Sequence, residues 1–520
     1  MKINIKHLGS DIPASIVVFL VALPLCLGVA VASGADPFAG VVAGVIGGMV
    51  VGLISGSNLS VSGPAAGLTS IVAMSIESLG AYELFLTAVV IAGILQVLLG
   101  IVKGGIIGDF IPNSVIKGML AAIGIILILK QIPHFFGYDV DPEGDNTFIQ
   151  PDNKNTFTEI LESLTHITPL AVVIGLIGIA ILIVFEQKKI KQAKWSIYIP
   201  APLLVVLAGI IVNEYALSNH AIYAISNDHL VNLPVFHSIW EVTGKVVLPN
   251  LNGIGNYHVW ITGFTIAIVA SVESLLSLEA VDAIDPQKNI SPSNRELIAQ
   301  GSGNIVSGLI GGIPVTSVIV RSSANVNAGG KTKASSILHG LWLLLSVLFI
   351  APLLNKIPLA ALAAILIFTG YKLAKISLFT TYYKKGMNQF LPFLITVLAI
   401  VFTDLLKGVA IGIIVGLFYT IRSNFRTAIT MYKDEFRYLI RFKKEVTFLN
   451  KGTLKKILTR IPDNSAVLID PTKADFVDAD IKDLVNDFII HAPARNVRVY
   501  IKKLDGKEEI FDDSTKNILK

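Results

Sequence analysis

The chain has 520 residues, 53% of them hydrophobic and only 15% charged, with a mean hydropathy of +0.69. A soluble core cannot hide so much apolar surface, so a soluble globular enzyme is excluded and the chain reads as an α-helical polytopic membrane protein. The net charge of +5 is spread over short connections between apolar runs, which excludes nucleic acid as a partner, and the lone Cys26 cannot form an intrachain disulfide.

Met1 to Ser10 carries Lys2 and Lys6 ahead of an apolar run, as a signal peptide does. The run from Ile12 to Ala32 is longer than a signal core of ~7 to 15 residues and contains Pro24, so it reads as a retained first span. Taking runs of about 17 to 25 apolar residues as spanning helices gives about fourteen segments. They are 11–33, 37–55, 60–79, 82–102, 112–131, 167–185, 198–217, 259–283, 295–312, 314–328, 335–354, 357–373, 389–405 and 407–425.

Two of these are broken. The third opens with Ser60-Val61-Ser62-Gly63-Pro64-Ala65-Ala66, and the tenth follows Gly311-Gly312-Ile313-Pro314-Val315-Thr316-Ser317 and ends early at Gly329-Gly330. Backbone that cannot stay helical in hydrocarbon must line a protein cavity, and paired breaks in two halves mark a transporter with a mid-membrane site. Special segments at positions three and ten divide the spans seven plus seven, and an odd number per half makes the second repeat inverted.

Lysines 188, 189, 191 and 194, then 331 and 333, then 372, 375, 384 and 385 all fall on one side if the N-terminus is cytoplasmic. That agrees with the positive-inside rule and puts both termini inside. The long connections 132–166 and 218–258 then lie outside, and the first carries Asp139, Asp141, Glu143, Asp145 and Asp152 against Lys154.

After Arg426 the charges become dense. The division is a transmembrane domain over 1–430, a small cytoplasmic α/β domain over 437–505 and a polar tail over 506–520. Strands are expected at Val446–Leu449, Ala466–Asp470 and Val497–Ile501, with helices over Lys451–Arg460 and Ile481–His491.

Three places bear chemistry. A half-helix is expected to begin within Ser62 to Ala66, where the proline suits its first turn and free N–H groups would draw an anion; the plainer reading is a kink packed by small residues. Arg321, close after the second break and followed by Ser322 and Ser323, offers a planar donor set for an oxyanion, unless it snorkels to the nearby surface. Glu273 follows the uncharged run Ile261 to Val272, so it lies about 18 Å into the eighth span, one turn from Ser277 on the same face. A carboxylate above a hydroxyl suits a proton relay or one side of a small-cation site; alternatively Glu273 is the fixed partner of Arg321. Glu279 and Asp282 read as solvated.

Ala328-Gly329-Gly330-Lys331-Thr332 ends like a phosphate-binding loop but has Asn325 where the earlier glycine belongs, so ATP-driven transport is disfavoured. The nine histidines, His339 among them, show no metal-ligand spacing, and no enzyme signal remains.

These residues resemble the SulP family of inorganic anion permeases over nearly the whole chain. The likeness is carried by Asp11-Ile12-Pro13-Ala14 with Ala22-Leu23-Pro24, by Ser60 to Ala66, by Arg295-Glu296-Leu297-Ile298-Ala299-Gln300-Gly301 with Gly303-Asn304, and by Arg321-Ser322 with Asn325 and Ala328 to Thr332. The tail resembles a short STAS domain through Val467-Leu468-Ile469-Asp470 and Phe476-Val477-Asp478-Ala479-Asp480.

The resemblance implies core and gate domains, a homodimer, and a small inorganic anion held between the facing ends of the third and tenth half-helices. By position, Ser62, Gly63, Pro64, Ala65 and Ala66 with Val320, Arg321 and Ser322 would bind it, and Glu273, Ser277 and Ser317 would serve cation coupling, with Na+ at Glu273 and Ser277 or a proton on Glu273. Sodium-coupled members carry Asp and Thr where this chain has Glu273 and Ser277. Leu25 and Val320 replace polar residues of many relatives, which makes the pocket less polar, and Ala479-Asp480 stand where signalling relatives have a phosphorylatable serine. The wording Val18 to Gly28 looks like a subgroup sometimes fused to carbonic anhydrase, which favours bicarbonate. The expectation is therefore secondary-active symport of an oxyanion, bicarbonate before sulfate, across a bacterial inner membrane, coupled to Na+ or H+ and needing no other cofactor. An uncoupled anion channel or exchanger, or a nucleobase permease of the same architecture, are the alternatives.

Overall fold

The computed structural model describes residues 7–64, 66–140, 148, 154–191, 199–219, 224–233, 235, 239–502 and 508–510. It divides into two compact units, Met1–Ile413 and Ile414–Lys520. Lys194 and the acidic Asp141, Glu143, Asp145 and Asp152 lie outside the described residues.

Each predicted span holds a helix, labelled here in chain order. The first seven are α1 (Leu8–Ala32), α2 (Pro37–Ile46, running on to Ile54), α3 (Thr69–Leu79), α4 (Tyr82–Ile101), α5 (Asn113–Phe136), α6 (Pro169–Glu186) and α7 (Ala201–Ser218). The second seven are α8 (Tyr257–Ile284), α9 (Ser293–Leu309), α10 (Ile319–Asn327), α11 (Ala334–Leu345, running on to Leu354), α12 (Leu359–Leu373), α13 (Met387–Phe402) and α14 (Leu405–Ala428). Local chemistry sets their starts: Asp36 accepts from the Phe38 N–H ahead of α2, with Pro37 in its first turn, and Asn256 accepts from the His258 N–H ahead of α8. Among the described residues, nine helices are long and apolar enough to cross a bilayer, and α6 and α7 leave side chains such as Leu176 and Ile211 outward for lipid to cover.

The packing carries the inverted repeat. Helices α1–α4 pack mainly with α8–α11, and α5–α7 with one another and with α12 and α13. Gly93 of α4 meets Gly301 of α9, where a Cβ would come within 2.6 Å of the facing backbone; the equivalent pair in the other half, α11 on α2, meets through Gly340 and Gly48 at the same closeness, 2.6 Å from Gly48 to the Gly340 backbone. Small residues at the two exchanged contacts are what lets the halves interlock within the bilayer.

At the centre, β1 (Ser62–Pro64) pairs antiparallel with β2 (Val315–Ser317), setting Ser62 opposite Ser317 and Pro64 opposite Val315. The half-helix expected to begin within 62–66, with Pro64 in its first turn, instead follows an extended Pro64, with a short 3-10 turn Ala66–Leu68 before α3. The reason is that residues 62–64 stay extended to satisfy the second break, and each interrupted segment supplies the other's backbone partner.

In the second unit a five-stranded sheet runs in the order β3 (Ile429–Asp434), β4 (Arg437–Val446), β5 (Ala466–Val477), β6 (Arg498–Lys502), β7 (Glu508–Ile510). The β4–β5–β6 pairs are parallel and the outer pairs antiparallel, with α15 (Lys451–Thr459) and α16 (Ala479–His491) as crossovers. This small α/β domain is consistent with the STAS-like expectation. The strand expected at 446–449 is corrected: the strand ends at Val446 and Phe448–Asn450 is a 3-10 turn. The sheet also begins earlier than 437, and β7 falls within the stretch read as tail. Tyr438, Ile440 and Phe442 alternate into the core while charged neighbours face out, a period of two masked by its basic residues.

Candidate substrate site

The crossing strands are held from behind by amides of α9. The Asn304 side chain accepts from the Val315 N–H (2.6 Å) and donates to the Val315 carbonyl (3.0 Å), acting as a third strand one residue long. Gln300 donates to Ser62 Oγ and to Glu296 Oε1, both at 2.7 Å, and Ser55 donates to the other Glu296 oxygen. The hydroxyls of Ser60 and Ser317 meet at 2.7 Å, and Ser322 Oγ accepts the Val61 N–H at 2.9 Å. Every one of these side chains is buried, so Ser62, Ser317 and Ser322 serve first to satisfy the crossing.

A cavity of about 630 Å³ opens beside the crossing, between the two helix groups. Gly67 and Ser70 at the start of α3 line it, as do Val318, Ile319 and Val320 at the start of α10. Neither N-cap residue, Leu68 or Val318, makes a side-chain cap bond, and each helix start brings a partial positive charge of about +0.5 to the border of this space. Glu273 and Ser277 of α8 form another wall. The Glu273 carboxylate lies against the Gly67 backbone, and its Oε2 has no hydrogen-bond partner among the described residues. At the mouth, Phe148 packs edge-on against Phe402 and donates its N–H to the Thr403 carbonyl, beside the Asp404–Lys407 ion pair at 2.9 Å.

Arg321 lies on the other side of α10, wholly buried. Its Nη2 donates to the Pro64 carbonyl at 3.4 Å, its guanidinium fills the space over Gly63 and faces Cys26, and Nε and Nη1 lack hydrogen-bonded partners among the described residues. It neither snorkels nor pairs with Glu273. Thus the structure brings Val320, Glu273 and Ser277 to the cavity wall; Ser62, Gly63 and Pro64 lie in β1, Ser317 lies opposite Ser62 in β2, and Ser322 and Arg321 are buried in α10 against the β1 side of the crossing. Ala66 is in the 3-10 turn beside Gly67, and Ala65 lies outside the described residues.

Sequence reasoning had no role for Gly67, Ser70, Asn304, Gln300 or the Asp404–Lys407 pair. Gly67 and Ser70 could have been found as one face of the turn after Pro64, and the acid–base pair at i,i+3 spacing marks the break between the last two spans.

A profile of the sulfate permease family matches residues 8–414. The putative sulfate transporter YvdB of Bacillus subtilis is 30% identical over 422 residues, covering 81% of this chain and 74% of that protein. The bicarbonate transporter BicA of Picosynechococcus is 26% identical over 428 residues, covering 81% of this chain and 71% of its own length. Among solved structures, the murine solute carrier 26 family member A9 in its inward-facing state superposes with a TM-score of 0.67 over 96% of this chain and 86% of that one, at 16% identity, a likeness of fold.

Proposed function

Since the chain belongs to the sulfate permease family and is a membrane transporter of inorganic anions, we propose that it is a secondary-active symporter of a small oxyanion, bicarbonate first and sulfate second, driven by Na+ or H+. The observation that carries this reading is the unpartnered Glu273 oxygen in a cavity walled by two uncapped helix starts. An anion at those ends is attracted by both dipoles and repelled by the carboxylate. Binding Na+ or a proton at Glu273 removes the repulsion, so cation and anion load together. Arg321 adds its charge from behind the crossing, through the backbone of Gly63 and Pro64.

Alternating access would slide the helix group bearing the crossing past the other group. The chain would sit in a bacterial inner membrane with both termini cytoplasmic, as a homodimer, with the α/β domain supporting assembly. The nucleobase reading loses its support with the family assignment. The test is uptake of radiolabelled bicarbonate and sulfate into proteoliposomes with Na+ and proton gradients imposed separately. Uptake driven by neither gradient would instead establish an uncoupled exchanger or channel.

A further inference from the structure

A second cavity, of about 390 Å³, lies between the same two helix groups at the opposite end of the bundle. Ala324 and Asn327 of α10 line it, with Lys331 just beyond, Glu186 at the end of α6 and Lys372 at the end of α12. Val320 borders the first cavity and Ala324 the second. They are one turn apart on one helix face, about 6 Å of rise. A solute leaving the start of α10 along that face arrives at the two lysines.

Their setting is divided between the groups. The Lys331 backbone is fixed to α1, because Asp11 accepts from the N–H groups of Lys331 (2.7 Å) and Thr332 (3.1 Å) and from the Thr332 hydroxyl (2.5 Å). Lys372 belongs to the other group, where its Nζ lies 2.9 Å from Glu186 and 4.7 Å from the centre of the Phe368 ring. Among the described lining residues, two lysines stand against one glutamate, one positive charge in excess. With side chains 20% and 42% exposed, the Lys372–Glu186 pair is weak enough for an incoming oxyanion to displace.

We propose that Lys331 and Lys372 form a second anion subsite on the exit path, and that Glu186 is its tethered competitor, holding Lys372 until the transported oxyanion takes its place. The proposal rests on the reading of the chain as an oxyanion transporter. The subsite is completed only when the two groups align, and the returning Glu186 carboxylate expels the solute, which keeps binding there weak enough for release.

The test uses the full chain in proteoliposomes of uniform orientation, with initial rates measured against bicarbonate or sulfate concentration at each face separately. Lys331→Met with Lys372→Met is expected to raise half-saturation about fivefold at the Lys331 face and to leave the opposite face unchanged, while the double Lys→Arg variant restores it. Glu186→Gln is expected to lower half-saturation at that face. Equal shifts at both faces, or none in a protein that transports, overturn the subsite and leave the transport reading standing; a parent protein that moves neither anion overturns that reading as well. A lysine effect seen only when phosphatidylglycerol is added to phosphatidylcholine vesicles assigns the cavity to a lipid headgroup and also overturns the subsite.

Discussion

The Glu273 carboxylate rests on the backbone of Gly67, so closely that a methyl group added there would stand 2.9 Å from Oε1. The contact joins the cation-binding candidate to the start of α3, one of the two dipoles facing the anion. Glu273→Gln keeps the shape but removes the charge. It is expected to retain anion binding and lose dependence on Na+ or pH, measured as uptake with each gradient collapsed. Full cation-driven uptake by this variant would exclude a coupling role. Gly67→Ala should push the carboxylate away and weaken coupling while the charge remains.

Arg321 gives a second prediction, with opposite signs for stability and function. A buried guanidinium that has, among the described residues, two unpartnered nitrogens and no ion-paired carboxylate costs folding free energy. Arg321→Met fills much of the same volume without charge. It should raise the melting temperature in detergent and raise half-saturation for the anion about tenfold, equivalent to ~1.4 kcal/mol. A variant that melts lower while transporting normally would show that Arg321 is structural.

How much was legible in the sequence follows from range. The breaks at Pro64 and Pro314 are local, and so is the depth of Glu273 along α8; both could be read from residue order. That residues 62–64 and 315–317 would satisfy each other as strands depends on pairing across more than 250 positions, and a proline near a helix start gave no hint of it. The side of α10 on which Arg321 falls likewise depends on where the helix begins. Starting at Ile319 sends Val320 to the cavity and Arg321 to Gly63 and Cys26. In the second unit β3 and β4 were missed because their lysines and arginines resemble the basic flank of a span.

Asn304 yields a stability prediction. Its side chain satisfies both the N–H and the carbonyl of Val315, at a buried position. Asn304→Leu strands both groups, at ~1 to 3 kcal/mol each. Reduced thermal stability, with Asn304→Asp intermediate because it keeps the acceptor and loses the donor, is the expected order. Equal stability of all three proteins would exclude the third-strand role.

Beyond the membrane helices, Asp139 accepts from Nδ1 of His134 and of His229, each at 2.5 Å, tying the end of α5 to the connection after α7. Burial alone would raise the Asp139 carboxyl, but the hydrogen bonds and charges of the two imidazoles outweigh it and hold it below the usual carboxylate range. The Asp139 hydrogen bond raises His229 above its ordinary value, against partial burial and with further help from Asp228. For Asp139 the stabilisation is present above the unfolded carboxylate value and lost as pH falls through the depressed one. For His229 it is complete below the unfolded imidazole value and lost as pH rises through the elevated one. The clasp is therefore strongest between the two unfolded values, about pH 4 to 6.5. Melting temperature should decline as pH rises above that window, and His229→Gln, which can still donate a hydrogen bond but cannot carry charge, should flatten the alkaline decline. A decline equally steep in the variant would place the titrating group elsewhere.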